Sequence, residues 1–343
     1  MTALTNKNGK ILIIAEIAQA HDGSLGILHS YIDALAGTGV DMVKFQTHIA
    51  EKESSEYEVF RVPFSYADKT RYDYWKRMSF SPDQWAGIKK HCEEKGMEFL
   101  SSPFSVSAVK MLEGLGVKRY KIASGETGNF LMLDYVKRTG KEIWLSTGMS
   151  SFGDISRTVE FIGYPPEKLA LFQCSTAYPV KAEMVGLNVI PEMKKRFGLR
   201  TGLSDHSGEV YPSLAAVSLG ADLIECHAVF DKDMFGPDSK ASLTIGQFRE
   251  LVKGIRFIER MMANPVDKDD SSVYSELKSM FGKSLSVNRD MKKGERVRLA
   301  DLDDRKPGGR GIPSGDTMKV IGRTVSKDIK KDSFLKEEWL YEK

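Results

Sequence analysis

From Ile11 to about Ile258 the chain repeats one pattern eight times, a short apolar run rich in β-branched residues followed by a stretch of helical periodicity. The runs lie at 11–16, 41–46, 97–102, 119–124, 142–147, 169–175, 201–206 and 222–227. Strands of a parallel sheet are covered on both faces, so they read as near-continuous apolar runs. Helix starts fall between them. Ser81 and Gln84 form a capping box around Pro82, ahead of Trp85, Ile88 and Cys92, and Gly96 can end that helix. Thr244 and Gln247 form another, ahead of Phe248, Leu251, Val252 and Ile255. Ile155, Val159 and Ile162 keep the same spacing after the fifth run, and Val210, Leu214 and Val217 after the seventh. Eight such units predict an α/β chain folded as a (β/α)8 TIM barrel over 1–265; an open doubly wound sheet is the alternative.

Asn264-Pro265 and the polar run 267–272 break the pattern, so 266–281 reads as a linker. Beyond it, 282–302 resembles 322–340, each copy reading as strand, basic turn, strand around 304–316. This predicts a small β-rich module over 282–343, a core small enough to need support from a neighbouring surface.

The 50 basic and 47 acidic residues leave a net charge of +3, which gives no bulk attraction to nucleic acid or anionic membrane. The three scattered cysteines, Cys92, Cys174 and Cys226, form no disulfide framework and point to a reducing, cytoplasmic setting. The apolar run after the lead-in MTALTNKNGK is too short for a membrane span or a signal-peptide core.

In a barrel of this kind the active site forms at the C-terminal ends of the strands. Polar residues gather there: Glu16, Gln19 and His21; Lys44 and Gln46; Ser101 and Ser102; Lys121, Ser124 and Glu126; Ser146 and Thr147; Ser175, Thr176 and Tyr178; Ser204, Asp205 and His206; Glu225 and His227. Lys44 and Lys121 can neutralise carboxylate or phosphate, and Ser102, Ser124, Ser146 and Ser204 can donate to phosphate oxygens. There is no P-loop and no strand-linked dinucleotide fingerprint. His206 and His227 end neighbouring strands. They are either ligands of a divalent metal with open positions or two hydrogen-bonded imidazoles, and spacing alone leaves both open. His29 and His91 read as surface residues of helices, His48 as undecided and His21 as a substrate contact. The segment 55–78 reads as a long pocket-shaping loop.

Nine blocks in order, AEIAQAHDG (15–23), VKFQT (43–47), LSSPF (100–104), YKIASGE (120–126), LSTGMS (145–150), QCSTAYP (173–179), GLSDHS (202–207), IECH (224–227) and GPDSKASL (236–243), resemble the sialic acid synthase family, with its legionaminic and pseudaminic acid synthases. RKPGGRGI (305–312) is similar to the antifreeze-like SAF domain that those enzymes carry. The resemblance implies condensation of phosphoenolpyruvate (PEP) with an N-acylated hexosamine, such as N-acetylmannosamine or a deoxy-diacetamido sugar. The product is a nine-carbon 2-keto-3-deoxy acid, with release of phosphate. It further implies that Lys44, Ser102 and Lys121 hold the PEP carboxylate and that Ser124, Ser146 and Ser204 hold its phosphate. His206 and His227 would bind Mn2+, with Mg2+ or Co2+ as substitutes, while Glu16, Gln46, Tyr178 and Asp238 contact the sugar and Glu126 acts on water. Glu16, Glu126, Lys121 and Asp238 form the implied catalytic set, Arg305 or Arg310 would reach a sugar from the small module, and a domain-swapped homodimer is implied. Ala20, Thr176, Cys226, Ser239 and Lys306 depart from the family's usual residues, which bears on the sugar more than on the reaction. A PEP-dependent synthase acting on a phosphorylated aldose and a non-catalytic carbohydrate-binding homologue are the alternatives.

Overall fold

The computed structural model describes residues 10–341; the lead-in at 1–9 and the last two residues lie outside it. The described chain divides between Asn264 and Pro265 into two compact units.

The first unit is built on eight parallel strands: β1 (Leu12–Glu16), β2 (Met42–Thr47), β3 (Glu98–Pro103), β4 (Arg119–Ile122), β5 (Glu142–Ser146), β6 (Leu169–Cys174), β7 (Arg200–Asp205) and β8 (Leu223–Val229). The ladder runs β3-β2-β1-β8-β7-β6-β5-β4, a nearly closed barrel; among the described residues no ladder joins β3 to β4. A helix follows each strand, from Leu25–Ala36 after β1 to Ile245–Ala263 after β8. The capping boxes at Ser81 and Thr244 form as the sequence predicts, with side chain and backbone bonded reciprocally. The order of strands and helices is that of a TIM barrel, and the open-sheet alternative falls away.

Strand alternation sorts side chains into layers. Odd-numbered residues of β1, such as Ile13 and Ala15, pack outward against the helices. Ile14, Met42, Leu100, Trp144, Ala170, Phe172 and Leu223 turn inward and fill the barrel. Below them Arg119 bridges Glu98 at 2.8 Å and Glu142 at 3.0 Å, and its guanidinium lies over Trp144. The space is tight: a Cβ on Gly202 would sit 2.6 Å from the Leu223 carbonyl oxygen and 3.0 Å from Phe172. One step further toward the C-terminal ends, the same inward parity brings Glu16, Lys44, Ser102, Lys121, Ser146, Ser204 and Glu225 into one layer.

Segment 55–78 departs from the expected loop. Its last turns form the helix Arg71–Met78, opened by a capping box at Thr70. The segment has a small core of its own in which Tyr74, Trp75 and Met78 pack on Ala50, with Phe60 and Phe64 against them. Arg77 pins it through Asp68 and Asp22, both at 2.6 Å.

The second unit has its own apolar core of Leu285, Val287, Met291, Val297, Ile312, Val320, Val325, Ile329, Leu335 and Leu340. The two sequence copies answer each other. Met291 and Ile329 exchange backbone hydrogen bonds at 2.8 Å. Asp290 takes the Lys331 N–H and Lys330, and Asp328 takes the Lys293 N–H and Lys292. The turn residues Gly294 and Asp332 are both left-handed. Two expectations are corrected. Ser284–Val287 pairs antiparallel with Leu302–Arg305, but the second copy is joined by isolated bridges instead of regular strands. The stretch expected as linker contains the helix Ser275–Phe281. No helix among the described residues is long and apolar enough to cross a membrane.

Candidate active site

A cavity of about 410 Å³ opens at the C-terminal ends of the strands of the first unit. Its floor is a charge quartet. Lys44 Nζ bonds Glu16 Oε2 and lies 3.4 Å from Glu225 Oε1, while Lys121 Nζ bonds Ser146 Oγ and lies 3.6 Å from Glu225 Oε2. All four charged groups are buried. Burial pushes the Lys44 ammonium down, but Glu16 and Glu225 outweigh it and hold Lys44 above its usual range. Burial also dominates at Lys121 and lowers it, against the pull of Glu225. Glu225 is drawn below the carboxylate range because Lys121 and Lys44 overcome its desolvation. Two carboxylates thus face two lysines, so each buried group has a partner of opposite sign.

Hydroxyls ring this floor. Ser204 Oγ donates to Glu225 at 3.1 Å, and the Gly148 N–H donates to Ser124 Oγ at 3.0 Å. Gly148 has no room for a side chain: a Cβ would fall 2.6 Å from Thr176 Oγ1 and 2.9 Å from Ser124 Oγ. Lys44, Lys121, Ser124, Ser146 and Ser204 all line the cavity. Ser102 does not. It is buried behind them with an unpartnered hydroxyl among the described residues. Glu16 does not line the cavity either: the last residue of β1 points inward, is fully buried and is bonded to Lys44. His21, expected as a substrate contact, is buried on Phe80 with Nδ1 accepting the Gly23 N–H, outside the lining.

Above the floor the His206 and His227 rings stand 5.1 Å apart. His206 Nδ1 donates to the Ser175 carbonyl at 3.0 Å, leaving Nε2 as an acceptor that faces the Tyr178 hydroxyl at 3.2 Å. Burial, aided by His227, lowers the His206 pKa to about 3, so the ring is neutral. A neutral imidazole with its far nitrogen fixed by a carbonyl is the form that binds metals. Among the described residues no group of three or more His, Cys, Asp and Glu is placed to hold an ion. The donor set therefore fits an ion held by two imidazoles, with substrate or water completing its shell, and does not fit a closed structural site.

The wall carries the remaining groups. Burial raises the Glu126 carboxyl, against a hydrogen bond from Asn129. Asp238 lies 4.0 Å from His227 and takes a bond from Arg61 at 3.2 Å, and Arg61 also lies over the Tyr178 ring. Gln46, Tyr178, Glu126 and Asp238 line the cavity. Arg305 and Arg310 belong to the second unit, where Arg305 pairs with Asp332 and Arg310 is exposed. Sequence reasoning missed Arg61, Glu58 and Arg71 inside the long segment and gave Glu225 no role. Glu225 shares the inward parity of His227, a signal that was available.

The comparisons agree with this architecture. Residues 31–267 match the model of the NeuB family. The chain is 32% identical to the N,N'-diacetyllegionaminic acid synthase of Campylobacter jejuni, over 96% of this chain and 99% of that protein. It is 30% identical to the human N-acetylneuraminate-9-phosphate synthase, over 95% and 91%. Among solved structures, the N-acetylneuraminic acid (sialic acid) synthetase of Leptospira borgpetersenii superposes with a TM-score of 0.69 at 26% identity, covering 81% of this chain and 95% of that one. With the barrel, its buried quartet and these matches in hand, the chain belongs to the NeuB family and is a synthase of the sialic acid synthase type.

Proposed function

We propose that this enzyme joins PEP to the aldehyde of an N-acylated hexosamine, giving a nine-carbon 2-keto-3-deoxy acid and phosphate. The observation that carries this reading is the pair of buried lysines set among hydroxyls directly below two imidazoles. Lys44 and Lys121 offset the charge of PEP, which enters by displacing their contacts with the carboxylates. Ser124, Ser146 and Ser204 donate to its phosphate. His206 and His227 would hold a divalent ion, Mn2+, Mg2+ or Co2+, and such an ion supplies Lewis-acid polarisation of the aldehyde oxygen when bound. Tyr178, Gln46 and Asp238 hold the sugar so that its carbonyl carbon meets C3 of PEP. Glu126, whose raised carboxyl makes it a better base, takes the proton of the water that captures C2. The adduct then loses phosphate by C–O cleavage.

The lining favours an N-acyl sugar over a phosphorylated aldose. Its two arginines are already committed, Arg61 to Asp238 and Arg71 to Glu58 at 2.8 Å. A second phosphate would meet Glu53, Glu58 and Glu126 there. We read the second unit as an SAF domain and the enzyme as a cytoplasmic homodimer; the RKPGGRGI block supports the first. Light scattering at assay concentration tests the dimer.

Phosphate release from PEP with a panel of N-acyl hexosamines and arabinose 5-phosphate tests the reaction. Release and a product mass with an N-acyl sugar support it; release with the sugar phosphate alone, or none at all, overturns it. His206→Ala is expected to lower turnover at least about 100-fold.

A further inference from the structure

The Gln46 side chain lines the cavity from the end of β2, and Gln19, His48 and Glu53, which line it too, form a hydrogen-bonded chain joined to its amide oxygen. Gln19 Nε2 donates to Gln46 Oε1 at 2.9 Å, and His48 Nε2 lies 3.1 Å from the same oxygen. His48 Nδ1 is bonded to Glu53 Oε1, whose second oxygen takes the Ile49 N–H at 3.1 Å. The His48 ring is buried and clamped between Trp75, with centroids 3.9 Å apart, and Phe104, at 4.4 Å. Trp75 comes from the helix Arg71–Met78, and its indole N–H is held by Glu58 at 3.1 Å. Both nitrogens of this ring are therefore committed, and its plane cannot turn. Neither His48 nor Glu53 has a part in the chemistry proposed above.

We infer that His48 and Glu53 are positioning residues that lock the Gln46 amide with its oxygen committed to Gln19 and His48 and its NH2 left for the sugar. Glu53 accepts from His48 Nδ1, and a ring that carries its second proton donates Nε2–H to Gln46 Oε1; with Gln19 donating there too, the Gln46 NH2 is the group left for substrate. The ligand group that such a donor selects is an oxygen acceptor, such as the carbonyl of an N-acyl group, in preference to an ammonium or amine. An amide free to flip would serve both kinds of group and discriminate poorly. The clamp by Trp75 also ties this selectivity to segment 55–78, so the wall contributed by that segment and the donor it helps aim are set together.

This inference rests on the proposed reaction, and the experiment separates the two. Turnover of the full-length enzyme with PEP and the N-acyl sugar panel is measured first. Absence of phosphate release overturns the reaction and the inference together. Given turnover, His48→Phe keeps a flat ring between Trp75 and Phe104 while deleting both nitrogens. The expected result is a sugar KM raised about tenfold or more, with the PEP KM within about twofold and the melting temperature little changed. Selectivity for the N-acyl sugar over the corresponding free amine should fall in parallel. Glu53→Ala gives a second route should the phenylalanine variant not fold; its sugar KM should rise, with Glu53→Gln lying between it and the wild type. A sugar KM unchanged in His48→Phe and Glu53→Ala, or KM values for both substrates rising equally, overturns the inference.

Discussion

Glu16 and His21 lie five residues apart, and both are buried and absent from the cavity lining. Glu16 is bonded to Lys44, so its effect should reach PEP and not the sugar. Glu16→Gln removes the charge at constant shape; the PEP KM is expected to rise about tenfold and the sugar KM to stay within about twofold, as read by steady-state kinetics. Burial, then His48 and Arg77, lowers the His21 pKa from 6.5 to about 3. The unfolded chain therefore binds this proton first as pH falls. The stability tied to the neutral ring is complete above pH 6.5 and is lost progressively toward pH 3, on the order of 3 kcal/mol by pH 4. Chemical denaturation at pH 7 and pH 4 should show that slope, and His21→Asn should flatten it. A slope unchanged by the substitution would refute the assignment. Parity along a strand could place both residues near the rim, but only packing decides which side chain covers which.

At the scale of elements, the barrel depends on what each inward position allows. Gly202 faces Phe172 and the Leu223 backbone with no space for a methyl group. Gly202→Ala is expected to cost about 1–3 kcal/mol, seen as a lower denaturation midpoint, because backbone and a bulky ring must both give way. The eight apolar runs located the strands to within a residue or two, and the capping signals at Ser81 and Thr244 located helix starts. Those signals are local: periodicity and caps are properties of neighbouring residues. The helix Arg71–Met78 was legible in its Thr70–Asp73 capping box but was overlooked inside a polar, aromatic stretch. The bridges of the second copy in the small unit were not legible, since they are made by residues such as Ser286 and Phe334, far apart in sequence.

At the scale of the molecule, each unit carries its own apolar core. A chain ending at Asn264 is expected to keep its fold and its affinity for PEP, because Lys44, Lys121 and the three lining serines all lie in the first unit. Its turnover should fall about 100-fold or more if Arg305 or Arg310 serves the reaction, as the family resemblance implies; equal turnover would remove that role. Circular dichroism and PEP titration check the first expectation, and phosphate release the second. The sequence by itself determined the alternation of strand and helix, the break at Asn264 and the set of polar residues at the strand ends, since hydrophobic period and residue type are written along the chain. Only the tertiary structure decided that Glu16 and Glu225 face the two lysines, that Arg61 is held by Asp238, and that His48 stands clamped beside Gln46. Those pairings depend on distances between strands and loops that come together only when the barrel nearly closes, and burial then turns ordinary ionisable groups into a site.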